Sequence, residues 1–489
     1  MDPLAAAQLV QEQWSRSAAR RRVSNLAREL GPPTYAVGGA VRDAVMGRAP
    51  HDWDLLSLAP EPLALAVRSA LRATLVPLHD DPYTCRLVIG VGTPLREEID
   101  LAAPRGDGLE PDLAARDFSV NSMAWSITAG AAGVVDPCGG LGDLEARLLR
   151  GNSAQAFGDD PLRCLRAFRL SGELGLALEP ATAAWISAAA PGLARVAGER
   201  VGAEFSRLVV PPGLAERIRA MDESGVLCRV IPELETLKGV RQGGFHHLDV
   251  WGHTLALLDE LEGLLERPES LFPRTCRAPA PYVADDDARL RLKLAGLLHD
   301  IAKPRCACVQ DGWVRFIGHE KVGAEMAAAI CRRLRLPGEV CRSVSRLVLD
   351  HMRPIMLVNG SDSVVPTVSA IRRLVADCDP DGFGVLLLAA ADIQACLGPK
   401  TDPADRATRL DILDRAFAAY VHWTETQSFE PLLRGRHLIE HLGLEPGPKF
   451  SEILRAVERA QIDGEVTSTP EALALARRLI EGAAEDGGE

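Results

Sequence analysis

Long hydrophobic runs are missing from this chain, and so is any framework of cysteines. No stretch of eighteen apolar residues occurs among the 489, so no membrane-spanning helix and no membrane partner are expected. The opening residues MDPLAAAQLVQEQW have neither a positive flank nor a proper apolar core, which argues against secretion. The eleven cysteines are scattered, and only Cys306 and Cys308 lie close together. Neither a disulfide scaffold nor a four-ligand zinc site is spelled out, and reduced thiols in a cytoplasmic protein are expected. Excess positive charge is absent too. The formal net charge of −12 weighs mildly against a nucleic-acid partner, although a local basic stripe is compatible with an acidic whole. No repeat of fixed period is visible.

What is present is an ordinary globular composition, 47% apolar and 25% charged, in a chain long enough for about three domains. Residues 1–33 read as one polar, arginine-rich helix closed by Gly31-Pro32-Pro33, with the arginines of 16–28 on a solvated face. From 34 to 150, short β-rich runs (TYAVGG, DWDLLSL, TCRLVIGV, REEIDLA, WSITAGAAGVVDP) alternate with helical ones (GAVRDAVMG, EPLALAVRSALRAT). From Asp160 onward nearly everything has helical period, apart from a Pro- and charge-rich surface loop over 266–287. The expected class is α+β: a small head with a mixed sheet and helices (34–150), an all-α neck (151–225), an all-α body (226–400) and a helical region (401–489).

The chemistry concentrates in a few stretches. In AVGGAVRDAVMGRAPHDWDLLSLA, strand alternation places Asp52 and Asp54 on one face. Two carboxylates that close repel unless a cation lies between them. Mg²⁺ is held by a few carboxylates plus substrate phosphate oxygens. Asp100, on a later strand, can supply a third carboxylate, and two metals bridged by such a set would activate a hydroxyl and neutralise leaving pyrophosphate. Gly38-Gly39 ahead of a helix lets backbone N–H groups approach a triphosphate, and Arg42 could pair with its oxygens.

This order, Gly-Gly, helix, Asp-x-Asp on a strand and a third Asp on a later strand, resembles the nucleotidyltransferase superfamily that includes DNA polymerase β. YAVGGAVRDAVMGRAPHDWDL further resembles the first motif of class II tRNA nucleotidyltransferases, the CCA-adding enzymes, and of their bacterial poly(A) polymerase relatives. DLAARDFSVNSMAW (112–125) is similar to their second motif, with Ser119 and Ser122 replacing the usual Thr and Ala. Ala115 stands where that family usually has an arginine. The resemblance implies that Arg116 contacts the incoming nucleotide and that Asn121 helps order the site; Asp117 and Asn121 read equally as turn and cap residues.

In FGDDPLRCLRAFRLSGELGL, Asp160, Arg163, Arg166 and Arg169 recur at three-residue spacing on an expected helix. An intrahelical ion pair is one reading. The other is base selection. Cytosine and adenine each present an amino donor beside a ring-nitrogen acceptor, which a carboxylate and a guanidinium match; uracil and guanine do not. By resemblance to the family's Glu-Asp-x-x-Arg motif, Asp160 and Arg163 would read CTP and ATP, and Arg166 would add a nucleotide contact. Asp159 and Leu170 depart from the usual Glu and Phe.

The body carries His253, the pair His299-Asp300, His319, His351 and Asp392. This order resembles the HD-domain metal phosphohydrolases, whose mixed ligation of Mg²⁺ or a transition metal leaves positions open for phosphate and water. The resemblance makes His253, His299, Asp300 and Asp392 ligands, with His319 and His351 completing a second metal or binding phosphate. The leading expectation is an enzyme that adds nucleotides to tRNA 3′ ends from CTP and ATP with Mg²⁺. A poly(A) polymerase shares the head motifs, but such relatives usually end in a basic tail and this chain ends EGAAEDGGE. A hydrolase acting mainly through its HD domain is the other alternative. Only eleven residues, 101–111, separate Asp100 from Asp112. Complete CCA-adding relatives usually have a longer flexible segment there, so a restriction to CC addition is expected.

Overall fold

The structure is a computed structural model that describes residues 1–129, 132–243, 247–270, 272–275, 283–310, 313–359, 366–378, 380–426, 431–445, 447–463 and 465–485. The chain divides into two compact units. The first joins Met1–Pro211 with Ala220–Val230, and the second joins Pro212–Arg219 with Ile231–Glu489.

The arginine-rich start is two helices, α1 (Pro3–Ser15) and α2 (Ala18–Leu30), not one. Ser17 breaks the run: its backbone is extended and its hydroxyl accepts from the Arg20 N–H, so it caps a new helix. Nor is the arginine face uniformly solvated. Arg20 lies over the Trp14 and Trp53 rings at 6.0 and 5.4 Å and pairs with Glu97 at 3.5 Å. Burial takes Arg20 below its ordinary pKa, with Glu97 opposing the shift.

Six strands form the head sheet: β1 (Thr34–Val37), β2 (Trp53–Ser57), β3 (Thr74–Asp80), β4 (Tyr83–Ile89), β5 (Glu97–Ala102) and β6 (Ala124–Ser126), in the order β3-β4-β5-β2-β1-β6. Only β2 and β5 pair in parallel, so the sheet is mixed as expected. Alternation sorts its faces. Trp53, Leu55, Cys85, Leu87, Ile99 and Leu101 join one core with α1, α2, α3 (Gly39–Val45) and α4 (Pro60–Leu71). Asp54, Arg86 and Asp100 occupy the intervening positions, aligned across β2, β4 and β5. Asp52 falls one residue before β2, so the expected strand pairing of Asp52 with Asp54 is corrected: Asp54 alone is a strand residue. Strand β3 escaped sequence reading because it is an edge strand, exposed along most of its length and carrying Pro77. The expected strand over WSITAGAAGVVDP shrinks to β6 and a bridge from Ala124 to Val135; residues 130 and 131 lie outside the described residues.

Among the described residues, the regular structure of the second unit is helical except for a hairpin, Ala307–Gln310 with Trp313–Phe316, which amends the all-α expectation. Helix Asp286–Leu298 is buried along nearly its whole length, and helix Gly382–Ala395 is apolar and buried all round, as expected of core helices. Of the expected loop over 266–287, residues 271 and 276–282 lie outside the described residues. Among the described residues after 400, helices Gly435–Leu442, Pro448–Asp463 and Thr469–Glu485 form a small core around Leu438, Val457 and Ala472, whereas Phe417 of helix Pro403–Thr426 packs on Phe272 and Phe383.

Candidate functional site

The first unit holds a cleft of about 680 Å³ whose lining includes Asp54, Asp100, Arg116, Asp160, Arg163 and Arg166. Residues over a hundred positions apart thus face one space. The parallel register sets Asp54 beside Asp100 on adjacent strands, roughly 4.8 Å apart in backbone terms. Asp54 is open at the cleft mouth, yet protein surrounds it closely enough to push its carboxyl up to about 6. Loss of water is the main cause, and the charge of Asp52 adds to it, while Arg116 opposes.

Arg86 was missed by sequence reasoning. It aligns with Asp100 across β4 and β5 and grips it with two hydrogen bonds, Nε to Oδ1 at 2.7 Å and a terminal nitrogen to Oδ2 at 2.9 Å. Its signal was a lone charge inside the apolar run TCRLVIGV. With Asp100 turned to Arg86, Asp52, Asp54 and Asp100 are not among the groups whose donor atoms lie within 4.8 Å of one another.

Gly38 adopts φ +74°, ψ −137°, a conformation essentially reserved to glycine. A Cβ there would come within 2.7 Å of the Arg116 guanidinium, so the glycine makes room for that arginine. Gly39 starts α3, and its built Cβ would meet Arg42 at 3.4 Å. Arg42 itself is buried, donating to Asn121 at 2.5 Å and to Asp43 at 2.8 Å, and does not line the cleft. Its expected approach to a triphosphate is therefore corrected: here it braces Asn121. Asn121 in turn donates to Asp117 Oδ1 at 3.0 Å, and Arg166 closes on Asp117 Oδ2 at 2.7 and 2.9 Å. Burial pushes the Asp117 carboxyl up, but the Arg166 charge and the hydrogen bonds from Asn121 and Arg166 outweigh it and hold it below the ordinary range.

The neck expectation needs two changes. Ala177–Leu178 pairs in parallel with Leu148–Leu149, so the neck is not all-α. Asp160 lies between helices Ala154–Asp159 and Arg163–Leu174, not on a helix with the arginines. Its carboxylate pairs with Arg200 at 2.9 Å rather than with Arg163. Arg200, on helix Gly198–Val209, is a cleft residue that sequence reasoning passed over, as is Arg105. Arg169 points away into a buried pairing with Glu204 at 2.5 Å and Glu173 at 2.6 Å.

In the second unit the body residues converge. His253 Nε2 lies 3.0 Å from Asp392 Oδ1 and 3.9 Å from Asp300 Oδ2. His299 Nε2 is 3.0 Å from Asp300 Oδ2, His319 Nε2 is 3.4 Å from Asp300 Oδ1, and His351 Nε2 is 4.0 Å from the same oxygen. The Nδ1 atoms of His299, His319 and His351 lie 2.9, 2.7 and 2.6 Å from the carbonyls of Gly296, Phe316 and Val348. A carbonyl only accepts, so each Nδ1 donates and each Nε2 is the ring atom turned toward the Asp300 carboxylate, the orientation of metal-ligating histidines. His299 Nε2 and both Asp300 oxygens are buried without a well-aligned hydrogen bond. Burial and the neighbouring imidazoles push His351 down to about 4, leaving it neutral at pH 7. Asp300 is held well below the carboxylate range: burial raises it, but His299 and Lys303 prevail. The donor set and these inward-facing Nε2 atoms fit a divalent metal centre.

Beside that centre is a cavity of about 380 Å³. Its lining sets Lys303, Arg406 and Arg409 against Asp300, Asp392 and Asp405, with Lys303 2.6 Å from Asp300 and Arg409 paired with Asp405; Phe316, Met352 and Ile355 make an apolar wall. Among the described residues no helix is long and apolar enough to cross a membrane.

Comparisons with known proteins follow this geometry. Residues 34–150 match the family model for a Poly A polymerase head domain, 246–381 that for an HD domain, and 420–476 that for tRNA nucleotidyltransferase domain 2. An A-adding tRNA nucleotidyltransferase of Deinococcus radiodurans is 34% identical over 92% of this chain and 96% of that protein. A CC-adding tRNA nucleotidyltransferase of Thermus thermophilus is 34% identical over 90% of this chain and 92% of its own length. Among solved structures, a Thermotoga maritima CCA-adding enzyme complexed with tRNA covers 94% of both chains with a TM-score of 0.54 and 21% identity, a likeness of fold.

Proposed function

Because the chain belongs to the tRNA nucleotidyltransferase family, we propose that its head cleft adds nucleotides to tRNA 3′ ends and that its addition stops at CC. The carrying observation is the convergence of Asp54, Asp100, Arg116, Asp160, Arg163 and Arg166 on one cavity. Asp52, Asp54 and Asp100 are the residues that would hold Mg²⁺, which when bound lowers the pKa of the attacking 3′ hydroxyl and neutralises phosphate charge. Asp54, pushed up to about 6 by burial and the charge of Asp52, is a carboxylate whose ionised form a bound cation would relieve. Arg116 faces the triphosphate side. Asp160 offers an acceptor to the exocyclic amine of cytosine or adenine, and Arg163 and Arg200 flank it as donors to the ring nitrogen. Asp117 holds Arg166 in place at the same cavity.

The CC restriction is supported by the segment after Asp100. It is short and tied down: the Ala103 N–H donates to the Tyr83 carbonyl, and the Arg105 N–H donates to Asp112 Oδ1, both at 3.0 Å. A segment so fastened has little reach to reshape the base pocket between CTP and ATP. The test supplies purified protein with tRNA lacking CCA, and with tRNA ending in CC, together with CTP, ATP or both. Two C residues and no A are expected; A incorporation onto tRNA-CC overturns the restriction, and no incorporation at all overturns the transferase reading. Replacing Gly38 by Ala is expected to cost about 1–3 kcal/mol through its backbone conformation alone. By displacing Arg116 it should also raise KM for CTP, read by initial rates and thermal denaturation. An unchanged KM would remove Arg116 from the triphosphate site.

In the second unit, we infer a metal-dependent phosphohydrolase centre. His253, His299, Asp300, His319, His351 and Asp392 would hold the metal, which when bound supplies a nucleophilic water at neutral pH. Lys303, Arg406 and Arg409 are placed to bind the phosphate of the substrate, and the apolar wall takes the group it is attached to.

A further inference from the structure

Helix Gly382–Ala395 carries Asp392 and is capped by Cys396. A spacing of four puts the two side chains on one face. Cys396 Sγ lies 3.9 Å from Asp392 Oδ1, the oxygen that His253 Nε2 approaches to 3.0 Å. The donor atoms of His253, Asp392 and Cys396 all fall within 4.8 Å of one another, the separations found around a single tetrahedral ion. Two other trios, His253 with His299 and Asp300, and Asp300 with His319 and His351, meet the same condition with nitrogen and oxygen only. Cys396 also lines the 380 Å³ cavity, so an ion reaching Asp392 passes its sulfur.

We propose that Cys396 is a sulfur ligand of the metal held by His253 and Asp392, so that this position selects zinc or cobalt(II) over magnesium or manganese. Thiolate is a soft donor suited to zinc, whereas carboxylate and water suit magnesium and manganese. Binding transfers the thiol proton to solvent as the metal–sulfur bond forms, so uptake of the ion releases a proton. The position beside Asp300, His319 and His351 has no sulfur and keeps no such preference.

This inference rests on the metal-centre reading, and the test separates the two. Full-length protein, reduced and stripped with chelator, is titrated with Co²⁺ and followed by absorbance. Visible d–d bands together with a near-ultraviolet sulfur-to-cobalt band are expected. Cys396→Ser should keep the visible bands and lose the near-ultraviolet one, and its Zn²⁺ affinity should fall by about 10–100-fold with Mn²⁺ affinity little changed. A double Cys306→Ser/Cys308→Ser variant should keep both bands. Zn²⁺ should also shield Cys396 from alkylation in the unaltered protein, read by peptide mass spectrometry, while Mg²⁺ should not. Visible bands without the near-ultraviolet band, or a Cys396→Ser spectrum identical to that of the parent, overturns the sulfur ligand alone. Absence of all cobalt bands overturns the metal centre and the ligand with it.

Discussion

Asp54→Asn is expected to abolish nucleotide addition while making the protein more resistant to heat. The loss follows from the role of the carboxylate at the metal. A metal ion that organises phosphate and nucleophile contributes several kcal/mol to the transition state, and each 1.4 kcal/mol is tenfold, so a fall on the order of 10³-fold or more is expected. The gain in stability follows from the raised pKa. Asp54 takes up a proton at about 6 in the folded chain, against the ordinary 3.8. Between those values the folded state binds the extra proton, so stability declines as pH rises through the window. Above about 6 the ionised carboxylate, desolvated and beside Asp52, opposes folding in full; below 3.8 it does not oppose it at all. An asparagine carries no such penalty. In metal-free buffer the melting temperature of Asp54→Asn should therefore exceed that of the parent at pH 8, and the difference should vanish toward pH 4. A variant less stable than the parent at pH 8 would show that Asp54 is held by favourable contacts, and would remove the argument that it is set up for a cation. Stability given up at a site that needs like charges together is a familiar cost of function.

How much of this was legible beforehand depends on whether the signal was local. Strands β2 and β5 were readable because Trp53 and Ile99 alternate with charged neighbours, which one buried face requires, and β1 and β4 because TYAV and TCRLVI are short β-rich runs. Strand β3 was not, since an edge strand exposed along most of its length has no burial pattern to leave in the sequence. The break at Ser17 was locally encoded and overlooked: a serine with an extended backbone is an ordinary helix start. The cleft residues were named because their spacing resembles a family's motifs, but their pairings were not. Asp100 pairs with Arg86, Asp160 with Arg200 and Asp117 with Arg166, and these pairs are separated by 14, 40 and 49 positions. No periodicity reports such a pairing. Arg42 shows the reverse error, since a charged residue after Gly-Gly reads as a phosphate ligand until Asn121 and Asp43 are seen to occupy it. In the second unit the histidines were found by their order, and the structure explains why they can meet. His299 and His351 follow directly on the ends of their helices and His319 opens one, so each Nδ1 reaches a backbone carbonyl three residues earlier.

Asp300→Ala should cost the second unit about 3–5 kcal/mol, the usual penalty for stripping one partner from a buried ion pair. Asp300 and Lys303 are both buried, 2.6 Å apart, and the carboxylate also faces His299, His319 and His351. Removing it leaves the Lys303 ammonium with Gln242, 2.6 Å away, which supplies a hydrogen bond but no charge. Asp300 is held far below the ordinary carboxylate range, so its contribution is present at neutral pH and fades only in strong acid. The relevant transition is the one that Zn²⁺ raises, because an ion that binds only the folded unit stabilises it by mass action. In chelator that transition should fall in Asp300→Ala, and added Zn²⁺ should restore little of it, since the variant has lost a ligand as well as a charge. Lys303→Met tests the pairing itself. Alone it strands the Asp300 carboxylate and should destabilise; combined with Asp300→Ala it should cost clearly less than the sum of the two. Strict additivity would mean that Lys303 and Asp300 do not sense each other, and the lysine would then belong to the substrate cavity alone.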